Sequence, residues 1–233
     1  MNTAGFGITV NDAFRATSAV ITNLAIQEPL ELSSDTYNNV KIGTGTGYSL
    51  TTGGQSVYVG TNAGAAITTN SGNVAVGYNS LSVSTGGNNT ALGYQSLVAN
   101  TTGTYNVVVG YQAADSVTGG STNVSIGYSS GSTLTGGSNN VTVGTYADVA
   151  ETDTASGTAV GYGSKAGKES VSVGALAGAT TADDNCIVLN GSGLNLNTTG
   201  VSRFFVNPIR GVDHGVGAGR LIYDDSSGDI TYS

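Results

Sequence analysis

The stretch Asn73-Val74-Ala75-Val76-Gly77-Tyr78-Asn79-Ser80 decides how this chain is read. It returns as Asn89-Thr90-Ala91-Leu92-Gly93-Tyr94-Gln95-Ser96, and again over 106–113, 123–130 and 140–147. A further copy over 157–164 has Gly157 in the asparagine place, and looser copies cover 39–45, 56–63 and 170–177. Marked by the glycine that closes each short apolar run, the series is Gly43, Gly60, Gly77, Gly93, Gly110, Gly127, Gly144, Gly161 and Gly174. The spacings are 17, 17, 16, 17, 17, 17, 17 and 13 residues. A period of this length, held over nine copies, is the signature of a repeat architecture, and it takes precedence over any local reading.

Within each copy, two apolar or β-branched residues flank a small or polar one, an alternation that predicts a short half-buried strand. The glycine after it and stretches such as Thr85-Gly86-Gly87-Asn88 supply the turns. One copy has too few apolar side chains for a core of its own, so copies must stack and share one. The flanking residues are expected to form the core ladder: Val57, Val59, Val74, Val76, Leu92, Val107, Val109, Val124, Ile126, Val141, Val143, Val160, Val171, Val173 and Val188. Stacking also lines up like residues along the axis. Tyr78, Tyr94, Tyr111, Tyr128 and Tyr162 form an aromatic ladder, and Asn73, Asn89, Asn106, Asn123 and Asn140 an amide ladder.

Composition supports this reading. The chain has 233 residues with 37 glycines, roughly twice the usual share, but only two prolines, which excludes collagen. No Asp, Glu, Lys or Arg occurs from Ile42 to Ala114, so a regular structure must satisfy the backbone of that polar, uncharged stretch. The net charge of −8 argues against nucleic acid or an anionic membrane surface as partner. No apolar run approaches the roughly 20 residues of a membrane helix, and the start lacks the pattern of a secretory signal. The single cysteine, Cys186, leaves no internal disulfide.

The Asn-x-Ala-Val-Gly-x-x-Ser pattern resembles the head repeat of Yersinia-type trimeric autotransporter adhesins and the related repeats of bacteriophage tail fibres. The longer, Tyr- and Thr-Gly-rich version here is closer to the fibres. The resemblance covers roughly 39–189 and implies an all-β fold: a left-handed parallel β-roll, or β-solenoid, of about nine coils of 16–17 residues, assembled as a homotrimer. The handedness is carried by the resemblance alone. The expected organisation is an N-terminal docking or capping segment over 1–37, the repeat array over 38–190 and a C-terminal β cap over 191–233.

Both ends differ from the array. Val10, Phe14, Ala16, Val20, Leu24 and Ile26 alternate as in an extended strand, although a helical reading through Phe14, Ile21 and Leu24 is open. The last copy, Asn185-Cys186-Ile187-Val188-Leu189, is read with Leu189 in the glycine place and Cys186 where other copies carry an inward valine. Beyond it, Phe204, Phe205, Val206, Ile209, Leu221, Ile222 and Tyr223 concentrate large apolar residues, and 224–228 reads as a hairpin turn. This part resembles fibre segments that precede an endosialidase-type intramolecular chaperone, which was either removed at Ser233 or never present.

No conventional chemistry is expected: no catalytic residue, no cofactor and no metal. Lys165 and Lys168 lack the upstream glycine spacing of a phosphate loop, and Gly43–Gly47 has no helix after it. The carboxylate pairs Asp183/Asp184 and Asp224/Asp225 carry no calcium motif and no sign of glycosidase spacing. His214 has no nucleophile-elbow serine to work with. The tyrosine ladder admits two readings, a platform for sugar faces or a packed seam between coils or chains. Taken together, the expectation is a virion structural protein: a tail-fibre module for host attachment at the particle surface. It would join other tail proteins through the N-terminal segment and could contact a host glycan or receptor. A bacterial adhesin head and a fibre-borne polysaccharide-degrading enzyme are the alternatives.

Overall fold

A computed structural model describes residues 37–178, 184–196, 204–207, 221–223 and 230–232. In chain order the strands are β1 (Val40–Ile42), β2 (Val57–Val59), β3 (Val74–Val76), β4 (Thr90–Leu92), β5 (Val107–Val109), β6 (Val124–Ile126), β7 (Val141–Val143), β8 (Asp148–Val149), β9 (Thr158–Val160), β10 (Lys165–Ala166), β11 (Val171–Val173), β12 (Ile187–Asn190), β13 (Phe204–Asn207), β14 (Leu221–Tyr223) and β15 (Ile230–Tyr232). Among the described residues there is no helix. The protein is a parallel β-solenoid: eleven strands, one per coil, form a single sheet in the order β1-β2-β3-β4-β5-β6-β7-β9-β11-β12-β13. All nine repeat copies contribute a strand, and the sheet runs two strands further, to β13, across the boundary expected at residue 190. Beyond it β14 and β15 pair antiparallel, Leu221 with Tyr232 and Tyr223 with Ile230, as the hairpin reading requires. Residues 1–36, Asp183, Ile209, His214 and 224–228, read above from the sequence, lie outside the described residues.

The register shows why the period is what it is. Val57 pairs with Val74, Tyr58 with Ala75 and Val59 with Val76, and the same three places coincide in every coil. At the strand's end each turn glycine bends the chain with φ between +114° and +144°. A side chain there would be strained and would also meet the next coil. A Cβ on Gly60 would lie 2.6 Å from the Gly77 carbonyl oxygen, and one on Gly161 2.6 Å from that of Gly174. The glycine ladder is thus required twice over, by backbone conformation and by the close axial approach of successive corners.

The strand faces are the reverse of the expected ones. The middle residue points inward: Tyr58, Ala75, Ala91, Val108, Ser125, Thr142, Ala159, Ser172 and Val188 are fully buried. Val57, Val59, Val74, Val76, Leu92, Val107, Val109, Val124, Ile126, Val141, Val143, Val160, Val171 and Val173 instead stand on the outer face, half-buried or exposed. Of the expected core ladder only Val188 is inside. The physical reason is the thinness of the coil. The position six residues after the inward one faces it across the interior, and only one of the two can be large. Gly64 stands opposite Tyr58, where a Cβ would lie 2.5 Å from the ring, and Gly131 opposite Ser125, where it would lie 2.5 Å from the hydroxyl. By the same register Ala75 is matched with Leu81, Ala91 with Leu97 and Val108 with Ala114, all buried. Leu81 and Leu97 hold left-handed backbone, φ +52° in both, which costs about 1–2 kcal/mol per residue and is maintained by their burial in the core.

The last copy is also shifted by one residue. Ile187 pairs with Val171, Val188 with Ser172 and Leu189 with Val173. Cys186 therefore stands in the asparagine place, buried, with its backbone N–H donating to Ser170 Oγ at 2.9 Å. Asn190, not Leu189, holds the glycine place. Because side chains alternate, a slip of one residue exchanges the faces of the whole segment.

Candidate interaction face

Three ranks of side chains run along the axis on one flank of the solenoid. The first two are the outward strand positions, from Val40 and Ile42 at β1 to Ile187 and Leu189 at β12 and Phe204 and Val206 at β13. The third follows the turn glycine and holds Tyr78, Tyr94, Tyr111, Tyr128 and Tyr162. None of these positions, nor the next one along (Asn62, Asn79, Gln95, Gln112, Ser129, Tyr146), is charged in any coil. The charged side chains among the described residues, Lys41, Asp115, Asp148, Glu151, Asp153, Lys165, Lys168, Glu169 and Asp184, occupy other positions of the coil, Lys41 the middle of the first strand. With strands about 4.8 Å apart, the eleven coils give a strip on the order of 50 Å long. Contiguous exposed apolar strips of this kind mark interaction sites on soluble proteins.

The tyrosines are a stack rather than a loose row. Centroids are 5.2 Å apart for Tyr78–Tyr94, 5.0 Å for Tyr94–Tyr111 and 5.3 Å for Tyr111–Tyr128, with interplanar angles of 15°, 7° and 5°. Tyr162 does not join directly. Coil seven carries Thr145 in the ladder place and Tyr146 one residue later, and Tyr146 meets Tyr128 edge-on at 5.3 Å and Tyr162 at 6.3 Å. The four stacked rings are 41–45% exposed, but Tyr94 and Tyr111 have both faces covered by neighbouring rings. What they present is a file of ring edges and hydroxyls. A sugar platform needs a free ring face, so this geometry favours a seam.

Hydrogen-bond ladders hold the flank rigid from within. The Asn73 carboxamide oxygen accepts from the Asn89 backbone N–H at 2.9 Å, Asn89 from Asn106 at 3.0 Å, Asn106 from Asn123 at 2.9 Å, Asn123 from Asn140 at 2.9 Å and Asn140 from Gly157 at 2.8 Å. Each Nδ2 donates across the corner, as Asn106 does to the Gly120 carbonyl at 2.9 Å. These amides satisfy buried backbone groups that the three-residue strands leave unpaired. A second ladder escaped the sequence reading. Thr85 Oγ1 donates to the Thr101 carbonyl at 2.7 Å, Thr101 to Thr118 at 3.0 Å, Thr118 to Thr135 at 3.3 Å and Thr135 to Thr152 at 3.3 Å. The threonines recur at the coil period, which was its visible signal.

The charged candidates serve local structure. Asp148, buried, accepts from Thr133 Oγ1 at 2.7 Å, the Thr133 N–H at 3.0 Å, Ser132 Oγ at 3.1 Å and the Val149 N–H at 2.9 Å. Burial, above all, raises the Asp115 carboxyl above its ordinary value; a hydrogen bond from Ser116 opposes this and the Asp148 charge adds to it. Asp184 accepts from the Lys168 backbone N–H at 2.8 Å, and Lys168 lies 3.9 Å from Glu169 on the surface. Among the described residues no three His, Cys, Asp or Glu side chains come together as a metal site, and no helix is long and apolar enough to cross a membrane. Compared with known proteins, the chain matches no family model, no curated protein and no solved structure.

Proposed function

We propose that this chain is a rod-forming module of a bacteriophage tail fibre or spike, a homotrimer on the virion surface that carries a host-contacting end. The observation that carries the reading is the uncharged outer flank, with mainly valine, isoleucine and leucine in two ranks along the sheet and tyrosine edges in a third over coils three to six and eight, while charges sit elsewhere on the coil. Such a strip is costly in water and gains about 25 cal/mol per Å² when covered. A second and third copy of the chain fit it best, since they present the same rank spacing along the whole length. The role is mechanical: three thin rolls that cover one another's flanks become a stiff rod with few exposed loops to attack. The resemblance of the repeat to fibre proteins supplies the virion setting, with the N-terminal segment joining other tail proteins.

The test is solution mass by light scattering on the whole chain. A species of about three times 23.1 kDa, converted to folded single chains by Val109→Glu with Ile126→Glu, supports the proposal. A wild-type protein that stays at 23.1 kDa overturns it.

A further inference from the structure

The tyrosine file has a chemical consequence of its own within one chain. Six phenols follow one another from Tyr78 to Tyr162 with no gap between ring centroids above 6.3 Å, and in the single chain their edges are open to solvent. Each is carried by a different coil, and apart from the continuous backbone those coils are held together along the axis by hydrogen bonds and packing. We propose that the Tyr78–Tyr94–Tyr111–Tyr128 stack is a site of oxidative cross-linking, at which a one-electron oxidant converts neighbouring phenols into dityrosine and bonds successive coils of one chain covalently.

The chemistry balances. Each tyrosine gives one electron to the oxidant and its phenolic proton to water. The two phenoxyl radicals couple through ring carbons ortho to oxygen, forming one carbon–carbon bond. The two ring hydrogens at the bonded carbons then move to the phenol oxygens as aromaticity returns, so each cross-link delivers two electrons to the oxidant and releases two protons. Two features select the stack. Radical coupling is second order, and the lattice of coils keeps partners about 5 Å apart, whereas a lone tyrosine must wait for another molecule. The near-parallel rings also let the unpaired electron exchange between neighbours, so an oxidising hit on any member reaches a pair. Tyr48 and Tyr105 are the internal controls: at 85% and 61% they are more exposed than any ring of the stack, and neither has a ring partner among the described residues.

The experiment is brief photo-oxidation of the intact protein with a ruthenium(III) polypyridyl oxidant, generated by light with persulfate as the electron acceptor. It is run on a mixture of ordinary and heavy-nitrogen-labelled chains. Mapping must use a protease of broad specificity, because no Lys or Arg lies between Lys41 and Lys165. The expected result is dityrosine joining Tyr78 to Tyr94, Tyr94 to Tyr111 and Tyr111 to Tyr128, in peptides of uniform isotope content. Tyr111→Phe, which leaves the ring in place, should abolish the two links it takes part in and keep Tyr78–Tyr94. Links that mix isotopes, links made chiefly by Tyr48 or Tyr105, or a stack that stays uncoupled would each overturn the proposal. The mass measurement decides the fibre reading separately: same-chain links on a protein of single-chain mass would overturn that reading and leave this proposal standing.

Discussion

Coils three to six and coils seven to nine are built on the same strand and glycine but differ in almost everything else. From Asn73 to Asn139 the asparagine ladder is unbroken, the tyrosines stack face to face and the position opposite the inward residue is leucine, alanine or glycine. From Asn140 onward Gly157 interrupts the amides, Tyr146 leaves the ladder place, Asp148 and Lys165 stand where Leu81 and Leu97 do, and one coil shrinks to 13 residues. A small side sheet of β8 and β10 takes over part of the wall there. The main sheet crosses from one region to the other without a change of register. The invariant of this solenoid is therefore three strand residues and one corner glycine. The loop beyond them is free to change once its backbone groups find other partners.

The sharpest way to break that comparison is at the glycines. Gly127→Ala, in the regular region, and Gly161→Ala, in the irregular one, should be equally and severely destabilising. Each places a Cβ against a stacked backbone carbonyl at 2.5–2.6 Å and at a φ near +130°. Left-handed strain and overpacking together cost on the order of 3 kcal/mol or more. Denaturant titration of the two variants checks it; a mild effect at Gly161 alone would mean that the corner is not shared between the regions.

The next effect separates them. Leu97→Ala should cost about 2–5 kcal/mol, the range for deleting a buried leucine. Ala91→Leu added to it should recover part of the loss by refilling the same cross-section from the other side. Failure of the second change to recover anything would show that the two positions do not share one volume.

The smallest effect lies at the entry to the charged region. The folded-state pKa of Asp115 is raised, so its contribution to stability is fully present below the ordinary carboxylate value of 3.8 and is lost as pH rises through the raised value. Asp115→Asn should therefore raise Tm at neutral pH and give no advantage in acid. Thermal melts across pH 3–7 test this, and a gain independent of pH would assign it to something other than ionisation.

Much of this was legible in the residues. The period placed each strand to the residue in nine copies, and the glycine after each strand stands at the corner that demands it. The amide and tyrosine ladders follow from stacking like on like. Which way the strands face was not legible, because three residues of alternation are symmetrical: Val-Ala-Val satisfies an apolar-in rule with either face inside. The pairing of Tyr58 with Gly64, six residues away, held the answer, since a large residue in the middle place is matched by the smallest one opposite.

The sequence by itself determined that the chain is a stack of like coils, because a repeat too poor in apolar side chains to fold alone can be stable only by sharing its core with its neighbours. Only the tertiary structure decided which side chains form that core. The interior of a coil is one large side chain across, so the apolar pair that a broader protein would bury is turned outward. That single geometric fact converts an expected core ladder into an uncharged external face, the feature on which the proposed fibre role rests.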